Sequence, residues 1–146
     1  MPAIFINPSN EVHTTLLKDL NIQNKDLRVF ISDAQPREYI DSLPGKKAIG
    51  DIKDDTHIST ASHGAYCSIY FEDEIENLRE TFITSIKNSS TSRIIWISSL
   101  DPNDLILNLK NLVYVLIDSK IDYIKTVLEL ENAEAIDRNL IDLKNV

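Results

Sequence analysis

The side chains that could carry nucleophilic or metal chemistry are a serine pair, three histidines and one cysteine. Ser98 and Ser99 end an apolar run, but the sequence places no histidine to activate either hydroxyl, and an unactivated hydroxyl is a poor nucleophile. His57 and His63 are six residues apart, which on a helix puts them on different faces. We therefore predict no catalytic residue and no metal site. Ser98 and Ser99 are expected to cap the end of a strand, and the histidines to be solvated or capping residues.

Composition restricts the partners and the ligands. The 146 residues fit one domain, predicted over 1–146, and 23 acidic against 15 basic residues give a net charge of −8. A surface of this sign repels phosphate, so we expect neither nucleic acid nor an anionic membrane as a partner. Only three glycines occur (Gly45, Gly50 and Gly64), which excludes a glycine-rich phosphate loop. The single Cys67 excludes a disulfide framework, and we expect it to be a buried, inert thiol.

Short apolar runs alternate with helical patterns along the chain. Strands are predicted at 3–6, 27–31, 47–49, 65–71, 93–98 and 112–117. Helices are predicted at 10–20, 36–43, 54–63, 72–88, 102–109 and 121–130, with a last helix over 132–143. The run Ile94-Ile95-Trp96-Ile97 is apolar on both faces, as in the inner strands of a parallel sheet that is covered by helices on both sides. No apolar run is long enough to span a bilayer and no signal-peptide pattern occurs, so we expect a cytoplasmic protein.

This alternation predicts an α/β fold with a doubly wound, parallel, six-stranded sheet. The commonest order for such a sheet is Rossmann-like, 3-2-1-4-5-6. Ligands of these folds bind beyond the carboxyl ends of the strands, where the order switches between strands 1 and 4. The loops that meet there are 7–11, 32–35, 50–53, 70–73 and 98–103.

The segment from Gly50 to Gly64 carries a family resemblance. It aligns without a gap to the pattern GDhxDxxxhxxAhxG and matches it at both glycines and at Asp51, Asp54, Ile58 and Ala61. In this respect the chain resembles the NmrA-like, atypical short-chain dehydrogenase/reductase family over about residues 1–120, and the Ser98-Ser99-Leu100 ending of the fifth strand also matches. The resemblance implies an NAD(P)-binding Rossmann fold. Because members of this family usually continue into a substrate-binding part, it also implies a truncated member.

The family's phosphate-binding glycines are replaced in this chain. The resemblance aligns its Gly-x-x-Gly-x-x-Gly turn with Pro8, Glu11 and Thr14. Pro8 removes a backbone N–H donor, and Glu11 puts a carboxylate where a pyrophosphate would lie at the helix start. The Tyr-x-x-x-Lys pair of the reductases is also absent. We therefore predict a degenerate loop that binds NAD or NADP weakly or not at all.

The residues predicted to line the cofactor cleft follow from these loops and from the resemblance. Asp33 follows strand 2, where an acid binds the ribose hydroxyls of NAD, although an ordinary turn residue is the alternative. The resemblance puts Asp51 on the adenine side, where it could equally be a simple turn residue. The predicted set is Asn7, Ser9, Asn10, Asp33, Asp51, Ile52, Tyr70 and Ser98.

Two functions remain open at this point. The first is a degenerate NAD(P)-binding-like domain that acts as a non-catalytic binding or regulatory module. The alternative is an NAD(P)-dependent oxidoreductase of the atypical short-chain type with an altered cofactor loop. We also predict a homodimer, because amphipathic segments at 121–130 and 136–143 could cover either this sheet or a partner's. A small-molecule ligand, if one binds, is expected at the carboxyl-terminal edge of the sheet.

Overall fold

Strands and helices alternate strictly along the chain in a computed structural model that describes residues 1–145. Val146, the last residue of the predicted domain, lies outside them. The strands are β1 Ala3–Ile6, β2 Arg28–Ser32, β3 Lys46–Gly50, β4 Cys67–Glu72, β5 Arg93–Ser98, β6 Leu112–Leu116 and β7 Leu140–Asp142. The helices are α1 Glu11–Gln23, α2 Arg37–Ser42, α3 Asp55–Ala61, α4 Arg79–Lys87, α5 Asp104–Leu107 and α6 Ile124–Asn132. Within residues 1–145, no helix is both long and apolar enough to cross a bilayer.

The strands form one parallel sheet with the order β3-β2-β1-β4-β5-β6-β7. This confirms the predicted α/β class and the order of the first six strands. The direction of winding switches at β1, where Ile6 pairs with Phe30 of β2 on one side and with Tyr70 of β4 on the other. The loops that follow β1, β2 and β4 therefore meet at one edge of the sheet, as the sequence predicts.

The seventh strand corrects the prediction of a last helix over 132–143. Instead, Leu140, Ile141 and Asp142 pair with Tyr114, Val115 and Leu116 of β6. The open edge of β6 offers unpaired backbone groups, and pairing with them outweighs a weak helical periodicity. The other C-terminal helix is present as α6. Its Val127 and Leu130 are buried against this chain's own sheet.

Each face of the sheet is covered by three helices. Helices α1, α2 and α6 pack on one face around Phe5 and Ile95. Helices α3, α4 and α5 pack on the other face, where the indole of Trp96 stacks between Tyr70 and Tyr114 with ring centroids 6.3 and 6.1 Å away. The continuous apolar run of β5 is thus explained, because its alternate side chains enter two different cores.

Two helix predictions need correction because they assign a side chain to the wrong environment. Helix α1 buries His13 with Leu16, Leu17 and Leu20, so the prediction of a solvated or capping residue is wrong for this histidine, whereas the apolar Val12 is 41% exposed. Helix α4 begins at Arg79 and not at Glu72, since Glu72 is the last residue of β4. Both corrections put a polar side chain inside the protein at the edge where a ligand was predicted.

Candidate functional site

The turn between β1 and α1 is tied to the neighbouring strands by Asn7. This residue has a φ of +74°, in the left-handed region that asparagine tolerates better than most residues. Its backbone N–H donates to the carbonyl of Phe30 at 2.9 Å. Its side-chain amide donates to the carbonyl of Phe71 at 3.0 Å and to the Asp73 carboxylate at 3.2 Å. Asn7 therefore joins the ends of three strands.

The imidazole of His13 lies beneath this turn and is fully buried. Its Nδ1 accepts the backbone N–H of Ser9 at 2.9 Å, so the ring proton belongs on Nε2, which donates to the Tyr123 hydroxyl at 2.9 Å. The ring packs edge-on against Phe71, with centroids 4.2 Å apart. Burial lowers the pKa of His13 from 6.5 to about 3, which keeps the imidazole neutral.

Several polar groups of the turn are engaged within the chain. The Ser9 N–H is bound to His13, and the His13 N–H is bound to the Asn10 side chain at 3.0 Å, which caps α1. The Asn10 carbonyl accepts the Tyr39 hydroxyl at 2.9 Å, and Pro8 has no N–H to offer. A phosphate at this turn would have to displace the imidazole from Ser9 and compete with the exposed carboxylate of Glu11.

A second polar network closes the edge beyond β4, β5 and β6. The carboxylate of Glu72, only 2% exposed, accepts two hydrogen bonds from Arg79, with Nε 2.8 Å from Oε2 and Nη2 2.8 Å from Oε1. Oε1 also accepts the Trp96 indole N–H at 3.1 Å and the Ser98 hydroxyl at 2.7 Å. Arg79 Nη2 donates to the Tyr114 hydroxyl at 2.9 Å. This is a bidentate ion pair whose carboxylate is buried and whose Oε1 accepts two further hydrogen bonds.

The chemistry available in this network is limited by these contacts. The Ser98 hydroxyl donates its proton to Glu72, and the Tyr114 hydroxyl donates to the Leu100 carbonyl. Burial raises the pKa of Tyr114 to about 12, so the phenol keeps its proton near neutral pH. Because each group already has a partner, the network positions residues and is poorly suited to acid–base or nucleophilic catalysis.

The predicted cleft residues separate into two groups. Asn7, Ser9 and Asn10 form the closed turn, while the exposed Asp33 and Asp51 follow β2 and β3. The Asp33 N–H donates to the Gly50 carbonyl at 2.8 Å, and the Asp51 carboxylate accepts the Lys53 N–H at 2.9 Å. Both acids thus shape turns while their side chains face solvent.

The other three predicted residues are buried. Ile52 and Tyr70 belong to the core, and the Tyr70 hydroxyl is 2.9 Å from that of Ser85. Ser98 is bound to Glu72 as described above. None of the three presents its side chain to an open cleft.

Sequence reasoning missed the residues that organise this edge, namely His13, Tyr123, Glu72 and Arg79. His13 had a detectable signal, since it shares the helical face of Leu16, Leu17 and Leu20. Glu72 had none, because an acid between a strand and a helical pattern is typical of a helix start. Groups of three or more histidine, cysteine or acidic side chains able to hold a metal ion do not occur within residues 1–145.

Charge is distributed unequally between the two edges of the sheet. The six loops that leave the carboxyl ends of strands carry nine acidic residues and two lysines, whereas the six loops at the other edge carry three of each sign. The nine acids are Asp33, Asp51, Asp54, Asp73, Glu74, Glu76, Asp101, Asp118 and Asp122. The edge where a pyrophosphate would bind therefore carries most of the net negative charge of the chain.

Comparison with known proteins gives a likeness of fold. The chain matches no family model and no curated protein. It is similar to a short-chain dehydrogenase/reductase from Veillonella parvula solved in complex with NADP, with a TM-score of 0.64, 11% identity and coverage of 99% of this chain and 94% of that one. It is also similar to an anaerobillin reductase from Escherichia coli O157:H7, with a TM-score of 0.66, 14% identity and coverage of 99% and 97%.

A third similar structure is larger than this chain. It is a nucleoside-diphosphate-sugar epimerase from Pseudomonas aeruginosa, with a TM-score of 0.53 and 12% identity. The match covers 65% of this chain and 32% of the epimerase, so the chain spans about a third of its length. At these identities the comparisons establish the Rossmann fold of the dehydrogenases and epimerases, which is the fold implied by the sequence resemblance.

The buried His13 makes the stability of the protein dependent on pH. Its pKa is about 3 in the folded protein and 6.5 for an unperturbed histidine, so the unfolded chain binds the proton first as the pH falls. Stability from this group is complete above pH 6.5 and is lost below it. We expect the free energy of unfolding in urea to fall by about 2 kcal/mol between roughly pH 8 and pH 5.

The variant His13→Gln, which cannot titrate, should lose that pH dependence. His63→Gln, which replaces an exposed histidine, is the matched control and should keep it. An equal pH dependence in wild type and His13→Gln would show that His13 is not the responsible group.

The buried ion pair gives a second expectation for stability. Arg79→Gln should destabilise the protein by about 3–5 kcal/mol, because it leaves the Glu72 charge buried without a counter-ion. Arg37→Gln removes an exposed pair with Asp41 and should cost about 0.5 kcal/mol or less. Adding Glu72→Gln to Arg79→Gln should recover about 1–3 kcal/mol. Urea unfolding of the four proteins checks this, and equal losses for Arg79→Gln and Arg37→Gln would contradict it.

Proposed function

We propose that this chain is a degenerate relative of the atypical short-chain dehydrogenases and acts as a non-catalytic binding or regulatory module. The observation that carries the proposal is the hydrogen bond from the Ser9 N–H to the buried Nδ1 of His13. In a dinucleotide-binding Rossmann fold, the backbone N–H groups of this turn bind the pyrophosphate. Here one such donor is bound to a side chain of the same protein, and Pro8 lacks another.

The magnitude of this loss supports weak binding of dinucleotides. Hydrogen bonds to a charged group contribute about 1.5–3 kcal/mol each, so the loss of two weakens the affinity by roughly 10² or more. The nine acidic residues at the same edge add repulsion that acts before contact. The lost donors and the repulsion both follow from the structure as described, without any conformational change.

The contacts of Ser98 at the end of β5 support a non-catalytic role. The serine that resembles the reductase serine, Ser98, donates its hydroxyl proton to the Glu72 carboxylate. Arg79 is bound to that carboxylate at 2.8 Å, with its side chain 21% exposed. A serine whose proton is held in this way is less available to polarise a carbonyl, which supports a non-catalytic role.

The alternative function, an NAD(P)-dependent oxidoreductase with an altered cofactor loop, has one observation in its favour. A reductase solved with NADP shares the fold over 99% of this chain. In that case Asp33, exposed after β2, would bind the ribose hydroxyls of NAD, and Asp51 would lie on the adenine side. The closed turn at Ser9 and His13 is the reason why we place this function second.

Calorimetric titration with NADP and with NAD tests the two functions. We expect no saturation by either cofactor up to about 1 mM, a limit equivalent to roughly −4 kcal/mol, because Pro8 and the bond from Ser9 to His13 remove two donors from the turn. Binding in the low micromolar range would overturn the proposal and favour the oxidoreductase. Asp33→Asn should then weaken NAD binding, while Asp137→Asn, at the opposite edge, should have no effect.

The homodimer and the cytoplasmic location remain predictions. The segments that suggested a dimer cover this chain's own sheet, as α6 and as β7, so neither requires a partner copy. A small-molecule ligand at the carboxyl-terminal edge also remains a proposal. The turn at Ser9 and His13 and the acidic loops described above restrict which ligands could bind there.

A further inference from the structure

Three exposed apolar side chains lie at the carboxyl-terminal edge, in the loops after β4 and β5 and at the start of α5. Ile75 is 93% exposed, Leu105 55% and Leu100 39%. The two loops are held side by side, because the Ser99 hydroxyl donates to Glu74 at 2.6 Å. Each residue of that pair precedes one of the exposed apolar residues. We call Ile75, Leu100 and Leu105 the apolar patch.

The loops that carry the apolar patch rest on the buried ion pair. Arg79 Nη1 donates to the carbonyl of Asp101 at 2.9 Å, and the Tyr114 hydroxyl donates to the carbonyl of Leu100. These bonds hold the second loop to α4 and β6. A surface that is held in place before contact loses little conformational entropy when a partner binds.

The rim of the apolar patch is acidic. Glu74, Glu76, Asp101 and Asp104 are all exposed around it. Two lysines lie nearby: Lys53 is 3.3 Å from Glu76, and the Lys144 ammonium donates to the Ser99 carbonyl at 3.0 Å. Two cations against four carboxylates leave the rim negative. Arg79 and Glu72 form an ion pair and together add no net charge to the rim.

The charges of the rim select among the possible occupants. A second copy placed by a two-fold axis would bring this rim against itself, and like charges across an interface are unfavourable. Nucleic acid is repelled for the same reason. A segment rich in lysine and arginine with apolar residues on one face would satisfy both the rim and the patch, in the manner of an amphipathic helix on an apolar surface.

We propose that the apolar patch and its acidic rim dock a basic, amphipathic segment of a partner protein. The inference deepens the proposed function and rests on it, because it gives the binding module a partner at the edge that a cofactor would otherwise occupy. Ile75 and Leu105 would provide apolar contacts, and the rim would provide selectivity and speed of association.

The probe for this test is a fluorescein-labelled helical peptide of lysine and leucine, with leucine on one face. An oligolysine of equal charge is its control. We expect the amphipathic peptide to bind more tightly than oligolysine in fluorescence anisotropy at about 0.15 M salt, where long-range attraction is screened. The double variant Ile75→Ser, Leu105→Ser should lose about tenfold in affinity. Ile22→Ser, which changes a 72% exposed isoleucine on α1, should lose less than about twofold in affinity, because this residue is not part of the apolar patch. A tenfold loss is equivalent to roughly 1.4 kcal/mol.

Three results would overturn the inference. Equal affinity for oligolysine would mean that charge alone is recognised, and equal losses in the Ile22 and Ile75 variants would mean that the patch is not the site. A dimer in sedimentation that Ile75→Ser dissociates would identify a second copy as the occupant. NADP titration of the same proteins distinguishes a failure of the proposed function from a failure of this inference. Micromolar NADP binding removes the proposed function, whereas failure of the peptide alone removes only this inference.

Discussion

The neutral imidazole of His13 is the contact on which the architecture of the carboxyl-terminal edge depends. It accepts from the Ser9 backbone, donates to Tyr123 and packs against Phe71, so one ring connects the β1–α1 turn, the β6–α6 loop and β4. A charged imidazole could not make the bond to Ser9, because both of its nitrogens would be donors. The geometry of the turn is therefore linked to the low proton affinity that burial gives this ring.

The Glu72–Arg79 ion pair has the same function on the other half of the edge. A buried ion pair contributes little net stability compared with an apolar replacement, but either charge alone is costly. The pair therefore determines which arrangement of loops is allowed more than it determines how stable the fold is. Together with His13 it fixes the loops of this edge through contacts within the chain.

Much of the fold could be predicted because its signals are local. The apolar runs of β1 and β5 and the Gly50–Gly64 segment identify strands and a helix from neighbouring residues alone. The hydrogen bonds that occupy the predicted site, and the last strand, could not be predicted in this way. Glu72 is paired with Trp96 and Ser98 across the sheet, and β7 depends on the free edge of β6, so both are set by contacts between distant parts of the chain. His13 is intermediate, since its buried position follows from helical spacing but its partner Tyr123 does not.

The unequal charge of the two sheet edges gives the molecule a permanent electric dipole along its strands. In a parallel sheet every loop from a strand to its following helix emerges on the same side, so a bias in the charge of those loops adds up instead of cancelling. A charged object nearby exerts a torque on such a molecule before any contact forms. The protein would thus turn its carboxyl-terminal edge toward a cationic surface while still diffusing, and collisions through that edge would be more frequent than random orientation allows.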